Sequence, residues 1–418
     1  MRDLGDDRTI RERISVVLGA IILVAGCAGP VGTIMGSTGS PTAGVTANPT
    51  LAVTPPTSTP QASATAQRSC AQQVLSRMST AQRIGQLFLL GLADDRLGSS
   101  EIRAIRDGHV GSVWFTATTS IGVIGIREVA DAVQAQVSAA ATADVGFFVA
   151  ANQEGGRIQA LRGPGFSTIP SALDQGGVSP GTLTTDAKGW GEELLAAGVN
   201  LDFAPVSDVV PPGADATNQP IGVLQREYGH DPLTAGSHAA AFVTGMAGAG
   251  VATTAKHFPG LGRVVGNTDF SAGVVDDVTT RDDPFIASFR AAIGAGVPFV
   301  MVALATYLRI DPAALAAFSP LVIGGLLRGD LGFRGVVLSD DLGATTAVAA
   351  MAPGERALDF LLAGGDLIVS KTAEATIAMV AAVTARVVAD PEFAARVDDA
   401  ALHILEAKES AGLLPCAG

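Results

Sequence analysis

Positive charge, cysteine and histidine are all scarce in this chain. Among 418 residues, 27 lysines and arginines stand against 40 aspartates and glutamates, a net charge of −13. No basic stripe interrupts that excess, so nucleic acid is excluded as a partner and an anionic membrane surface would repel the folded part. The five histidines show no metal-ligand spacing and no phosphate-cradling glycine loop follows a strand, so no metal and no organic cofactor is expected. Charged residues make up only 16% of the chain while 48% is apolar, which excludes disorder for most of it and allows a large buried core. Long apolar runs are missing as well. Val16–Ala25 is too short to span a bilayer as a mature helix.

That short run follows Arg11 and Arg13 and ends in "LVAGC", with small residues just before Cys27. Residues 1–26 therefore read as a targeting segment. The ending resembles a bacterial lipobox, which implies cleavage before Cys27 and acylation there, with the bilayer as a partner through the lipid. The alternative is an ordinary secretory signal, and Asp3, Asp6 and Asp7 make this leader unusually acidic. Residues 27–67 are rich in Thr, Ser, Pro, Gly and Ala without a hydrophobic period, as in "TANPTLAVTPPTSTPQASATAQ". Such a stretch is a tether and forms no core. Residues 68–418 are the globular part, flanked by Cys70 and Cys416. In an oxidising compartment these two are expected to pair; otherwise they stay free thiols.

Eight apolar runs recur through the globular part: Ile84–Gly91, Val110–Thr116, Val145–Ala151, Val199–Val206, Val251–Phe258, Val297–Ala303, Gly335–Asp340 and Gly364–Ser370. Amphipathic segments such as "IREVADAVQAQVSAAAT" separate them. Continuous apolar strands alternating with helices predict a parallel sheet covered on both faces, and eight units predict a single α/β domain of the (β/α)₈ barrel type. An open doubly wound sheet is the alternative, but no GxGxxG follows the first run. In such a barrel, chemistry sits at the C-terminal ends of the strands. Asn152, Gln153 and Glu154 end the third run, Asp208 lies past the fourth, Lys256 and His257 end the fifth, and Asp340 with Asp341 end the seventh. All are expected on one rim. The glycine-broken stretch "AKHFPGLGRVVGNTDFSAG" (255–273) then becomes a strand end and a loop over the site.

"NQEGGR", "NLDFAPVSDV", "KHFPGLG", "AAFSP" and "SDDLG", in that order, resemble family 3 glycoside hydrolases, specifically the single-domain bacterial β-N-acetylglucosaminidases that trim peptidoglycan fragments. The resemblance covers Cys70 to Cys416. It implies a retaining glycosidase with Asp340 as the nucleophile, and Lys256, His257 and Arg226 as hydrogen-bonding partners of sugar hydroxyls. Asp341 is read as a structural acid capping the next turn, and His230 as an exposed loop residue.

The pattern breaks where the family places a histidine acid/base oriented by an aspartate. An ungapped count puts that Asp-Ser-His triplet on Asn267, Thr268 and Asp269. Asp269 is therefore the expected general acid/base, returning the site to two carboxylates. The alternative is that Asp269 only caps a turn, and a gapped count would bring Ser271 to the position. Asn152 stands for an aspartate that binds distal hydroxyls, and Ala160 for an arginine whose space Arg162 or Arg157 could reach. Leu261 and Leu304 replace frequent histidines. The reading is an exported, lipid-anchored monomer that removes terminal β-linked N-acetylhexosamine from a cell-wall glycan or muropeptide. A glycan-binding homologue without turnover and a glycosidase for another sugar are the rivals.

Overall fold

A computed structural model describes residues 68–416. The leader 1–26, the tether 27–67 and Cys27 lie outside the described residues.

Eight parallel strands form one sheet: β1 (Phe88–Leu92), β2 (Ser112–Phe115), β3 (Phe148–Ala151), β4 (Leu201–Asp202), β5 (Ala252–Phe258), β6 (Phe299–Val302), β7 (Val336–Ser339) and β8 (Ile368–Ser370). Each pairs with its sequence neighbour, for example Leu90 with Val113 and Val300 with Val337, and β8 returns to β1 through Leu89 and Val369. A bridge between Leu338 and Leu367 closes the ring, with the Ser339 N–H donating to the Leu367 carbonyl at 3.0 Å. The result is a closed (β/α)₈ barrel, which leaves no open sheet edge.

Each predicted run overlaps one observed strand, and each strand is shorter than its run, most of all in the fourth and eighth. Ile84, Gly85 and Gln86 are the last turn of a helix, Thr80–Gln86, started by a reciprocal cap between Ser79 and Gln82. The strand itself starts at Phe88. β4 is short because Pro205 has no N–H to give to the ladder, and pairing resumes at Val206 opposite Lys256. Helices such as Pro180–Ala196 and Pro232–Ala249 start on Ser179 and Asp231 caps with proline in the first turn. These two pack side by side on the barrel, their contact made close by Gly245, where a Cβ would press on the Thr184 carbonyl.

The first and last helices, Cys70–Arg77 and Pro391–Ser410, pack together through Ala71, Val74 and Leu405. The Glu409 carboxylate accepts from the N–H groups of Cys70 and Ala71, a favourable charge at a helix N-terminus. The Cys70–Cys416 disulfide, with Cα atoms 6.0 Å apart, joins the domain's two ends. In the loop-entropy account, closing so long a loop is worth at most roughly 6 kcal/mol. Among the described residues, no helix is long and apolar enough to cross a membrane.

Candidate active site

A cavity of about 560 Å³ opens at the C-terminal ends of the strands. That is ample for a sugar ring and typical of small-ligand sites, which run from about 300 to 1,000 Å³. Trp114, Phe203 and Met301 give it an apolar wall, with the Trp114 and Phe203 rings 5.8 Å apart. Asn152, Arg226, Lys256, His257, Asp269 and Asp340 all line it.

Glu154 organises the charged side of this cavity from beneath. It follows β3 and is buried, and its two oxygens take a bidentate pair of 2.8 Å bonds from Arg226 Nε and Nη2. Lys256 Nζ lies 2.5 Å from Glu154 Oε1 and donates to Asn152 Oδ1 at 2.7 Å. Burial alone would raise the Glu154 carboxyl, but the two cations overcome it and hold it at about 2. Burial lowers Lys256, and the Arg226 charge adds to that against the pull of Glu154. The tight turn after Glu154 needs glycine: Gly155 has φ +104°, and a Cβ there would overlap the Pro170 carbonyl.

Asp208 fixes the next residue along. It is buried, accepts from His257 Nδ1 at 2.7 Å, and also takes the backbone N–H groups of His257 and Leu261. A carboxylate on Nδ1 holds a proton at that nitrogen and fixes the orientation of the ring. Arg226 Nη2 stands 3.4 Å from His257 Nε2. The loop beyond can lie against its neighbour because residue 262 is glycine, where a Cβ would overlap the Val209 carbonyl.

Asp340 leaves the end of β7, its N–H donating to the Val302 carbonyl at 3.2 Å. Its Oδ1 accepts from the Asp341 N–H at 2.8 Å, and among the described residues no other hydrogen bond engages its carboxylate. Asp341 accepts from the N–H groups of Gly343, Ala344 and Lys371, so it caps the turn that aims Asp340. Burial pushes the Asp341 carboxyl up to about 6 against those bonds.

Asp269 reaches the same cavity from the loop after β5. Its N–H donates to Asn267 Oδ1 at 2.9 Å. Thr346 N–H donates to the Asp269 carbonyl and Ala347 N–H to that of Thr268, so this loop is tied to the loop that follows Asp340. Enclosure by the cavity walls raises the Asp269 carboxyl and the Asp340 charge raises it further, against Arg226, His257 and Lys371. The residue is solvent-exposed at the cavity mouth, so water screens part of this effect; the direction is upward.

Other residues fall elsewhere. Arg162 does not line the cavity: its guanidinium donates to the carbonyls of Gln159 and Gly156 and staples their loop. Arg157 is exposed, 3.5 Å from the Val223 carbonyl. Arg263, close to Asp269 in sequence, turns away to Asp283 and lies 4.0 Å over the Phe285 ring. One group was missed in the sequence. Lys371, one residue past β8, lines the cavity. Its place at a strand end was a readable signal. Glu154 and Asp208 were placed on the rim without a task, because holding Arg226, Lys256 and His257 is a three-dimensional property.

The profile described as "Glycosyl hydrolase family 3 N terminal domain" fits residues 79–407. A β-hexosaminidase of Stenotrophomonas maltophilia is 35% identical over 231 residues, which are 53% of this chain and 65% of that protein. One from Vibrio cholerae is 38% identical over 223 residues, 53% of this chain and 64% of that protein. The chain thus spans just under two thirds of these relatives' own length. Among solved structures, a β-N-acetylhexosaminidase from Beutenbergia cavernae has 51% identity and a TM-score of 0.78, covering 79% of this chain and 99% of that one. A family 3 β-N-acetylglucosaminidase from a Paenibacillus species has 28% identity and a TM-score of 0.72, covering 82% of this chain and 64% of that one. The chain belongs to glycoside hydrolase family 3.

Proposed function

We propose that this chain is an exported, retaining glycoside hydrolase that removes terminal β-linked N-acetylhexosamine, N-acetylglucosamine above all, from cell-wall glycans or muropeptides. The reading rests on one observation: Asp340 and Asp269 line a single cavity on two loops hydrogen-bonded to each other. The names of the relatives supply the sugar.

In this reading the Asp340 carboxylate attacks the anomeric carbon as the glycosidic C–O bond breaks. Asp269, whose carboxyl is raised by enclosure and by the adjacent Asp340 charge, gives its proton to the leaving oxygen. It then takes a proton from the water that attacks the same carbon, releasing the sugar and restoring Asp340. The mechanism requires carboxyls about 5 Å apart. Arg226, Lys256, His257 and Asn152 donate to or accept from the ring hydroxyls, each held in place beforehand by a partner. Once it has given up its proton, Asp269 is anionic and would repel phosphate, which favours hydrolysis over phosphorolysis. Cys27 would carry the lipid and residues 27–67 the reach from the bilayer.

The test is a panel of p-nitrophenyl β-glycosides with the full chain. Turnover of the N-acetylglucosaminide that vanishes in Asp340→Ala is the expected result. A preference for the glucoside would change the sugar. Saturable binding in calorimetry without turnover on any sugar would overturn the enzymatic reading in favour of a glycan-binding protein. Fractionating cells that carry Cys27→Ser tests the anchor, since activity still retained in the membrane fraction would exclude it.

A further inference from the structure

The loop from β4 to the helix Pro232–Ala249 carries Arg226 into the cavity, yet its regular structure is a single turn, Gly222–Leu224. Asn218 holds one side of it, accepting from Ile221 and Gly222 and donating to the carbonyls of Leu261 and Val264. A second cluster lies behind Arg226 and outside the cavity. Glu227, the next residue, is fully buried, and neither of its carboxylate oxygens takes a well-formed hydrogen bond from the described residues. Asp215 Oδ1 is buried without a hydrogen bond as well. His230 Nδ1 stands 3.6 Å from Asp215 Oδ1 and 3.2 Å from the Val210 carbonyl. One donor atom from each of Asp215, Glu227 and His230 lies within 4.8 Å of the other two.

A buried carboxylate with no donor is costly, and a second carboxylate oxygen buried beside it adds to that cost. Two things can relieve the pair: a shared proton or a cation. Atoms within 4.8 Å of one another leave room for one ion among them, and a small inward rotation of the side chains would bring them to the usual ligand distances of about 2.0–2.4 Å. Asp215 and His230 are each about a third exposed, 39% and 36%, which leaves an entry path that Glu227 closes at the inner end. Two carboxylates with an imidazole suit a borderline ion better than calcium or magnesium, which favour all-oxygen shells. We infer that Asp215, Glu227 and His230 form a site for one divalent cation of the zinc or manganese class, a staple that closes the loop behind Arg226. The turn Gly222–Leu224 is already pressed on this site, since a Cβ at Gly222 would come within 2.7 Å of the Asp215 Cα. The sequence offered no ligand spacing here because the three residues meet only when the loop folds back. His230, read there as an exposed loop residue, is about a third exposed and belongs to this cluster.

The inference stands apart from the catalytic proposal, because it is read by binding and stability. The full chain is stripped with EDTA, dialysed, and titrated with Zn²⁺, Mn²⁺ and Ca²⁺ by calorimetry and thermal unfolding. Zn²⁺ or Mn²⁺ should bind at one equivalent and raise the unfolding temperature, as any ligand of the native state does. Glu227→Gln and His230→Ala should each weaken that binding at least about tenfold. Glu227→Gln should still fold, since it removes an unpartnered charge. No binding by wild type, binding unchanged in both variants, or a response to Ca²⁺ alone would overturn the site. A shared proton would show as ion-insensitive wild type with Glu227→Gln more stable at pH 8, and that result also refutes it.

Discussion

Both ends of the barrel bury charge, and they use it differently. At the N-terminal end Asp366, fully buried ahead of β8, accepts from the Val337 N–H and pairs with Arg328 at 2.6 Å, Arg396 at 2.8 Å and His403 at 3.1 Å. Burial would raise its carboxyl, but His403 and the two arginines hold it below the usual range. Lys408, buried nearby without an acid, donates to Gln86 Oε1 and the Gly111 carbonyl, and burial brings it down to about 7. Here the charges are spent on each other and on the backbone. At the opposite end Glu154 is equally saturated, yet its partners Arg226 and Lys256 also face the cavity, and Asp340 keeps carboxylate capacity unused. Burial of charge therefore does not mark a functional end. Hydrogen-bonding capacity left over at a cavity wall does.

The sharpest way to break that contrast is a pair of substitutions. Asp340→Ala should lower turnover by about 10⁴-fold or more while leaving the unfolding midpoint unchanged. Asp366→Ala should do the reverse. It strands two arginines and should cost about 3–5 kcal/mol in denaturant unfolding, with normal turnover per folded molecule. A stable Asp366→Ala chain with depressed kcat would erase the distinction between the two ends.

Asp269→Asn is expected to rank next. Removing a general acid costs about 10²–10⁴-fold when the leaving group needs its proton. Turnover of an N-acetylglucosamine disaccharide should fall by that amount, and of an activated aryl glycoside by far less. Equal losses on both substrates would mean that Asp269 shapes the loop instead.

Much of this was legible in the sequence for a physical reason. Strands buried on both faces write themselves as continuous apolar runs, so all eight strands and their shared rim could be located, and Lys256, His257, Arg226, Asn152, Asp269 and Asp340 were placed at one mouth. Spacing carries no information about which way a basic side chain on the rim will turn. Arg162 and Lys371 show this. An arginine in a glycine-rich rim loop became a backbone staple, while a lysine one residue past a strand came to line the cavity. Asp202 was hidden likewise, inside an apolar run that reads as plain strand.

Asp202 provides the subtlest test, because it opposes Glu154 within one site. Glu154 has a native pKa near 2, so its stabilising pairs act in full above its ordinary value of 4.5 and are lost as pH falls toward 2. Asp202 accepts the Gln153 N–H at 2.9 Å, but its other oxygen is unpartnered, and burial pushes it up to about 7 despite that bond and the Lys256 charge. Between its ordinary 3.8 and 7 the unfolded chain has lost this proton while the native chain keeps it. The unfolded state then binds fewer protons, so this group's contribution to stability falls as pH rises across that window and is flat above it. Asp202→Asn keeps the acceptor and removes the titration. Relative to wild type, its unfolding temperature should therefore climb by about 5 °C between pH 4 and pH 8. A difference that stays constant with pH would mean that Asp202 is already ionised in the native barrel, balanced by Lys256, and that the active-site end carries one more spent charge than its opposite.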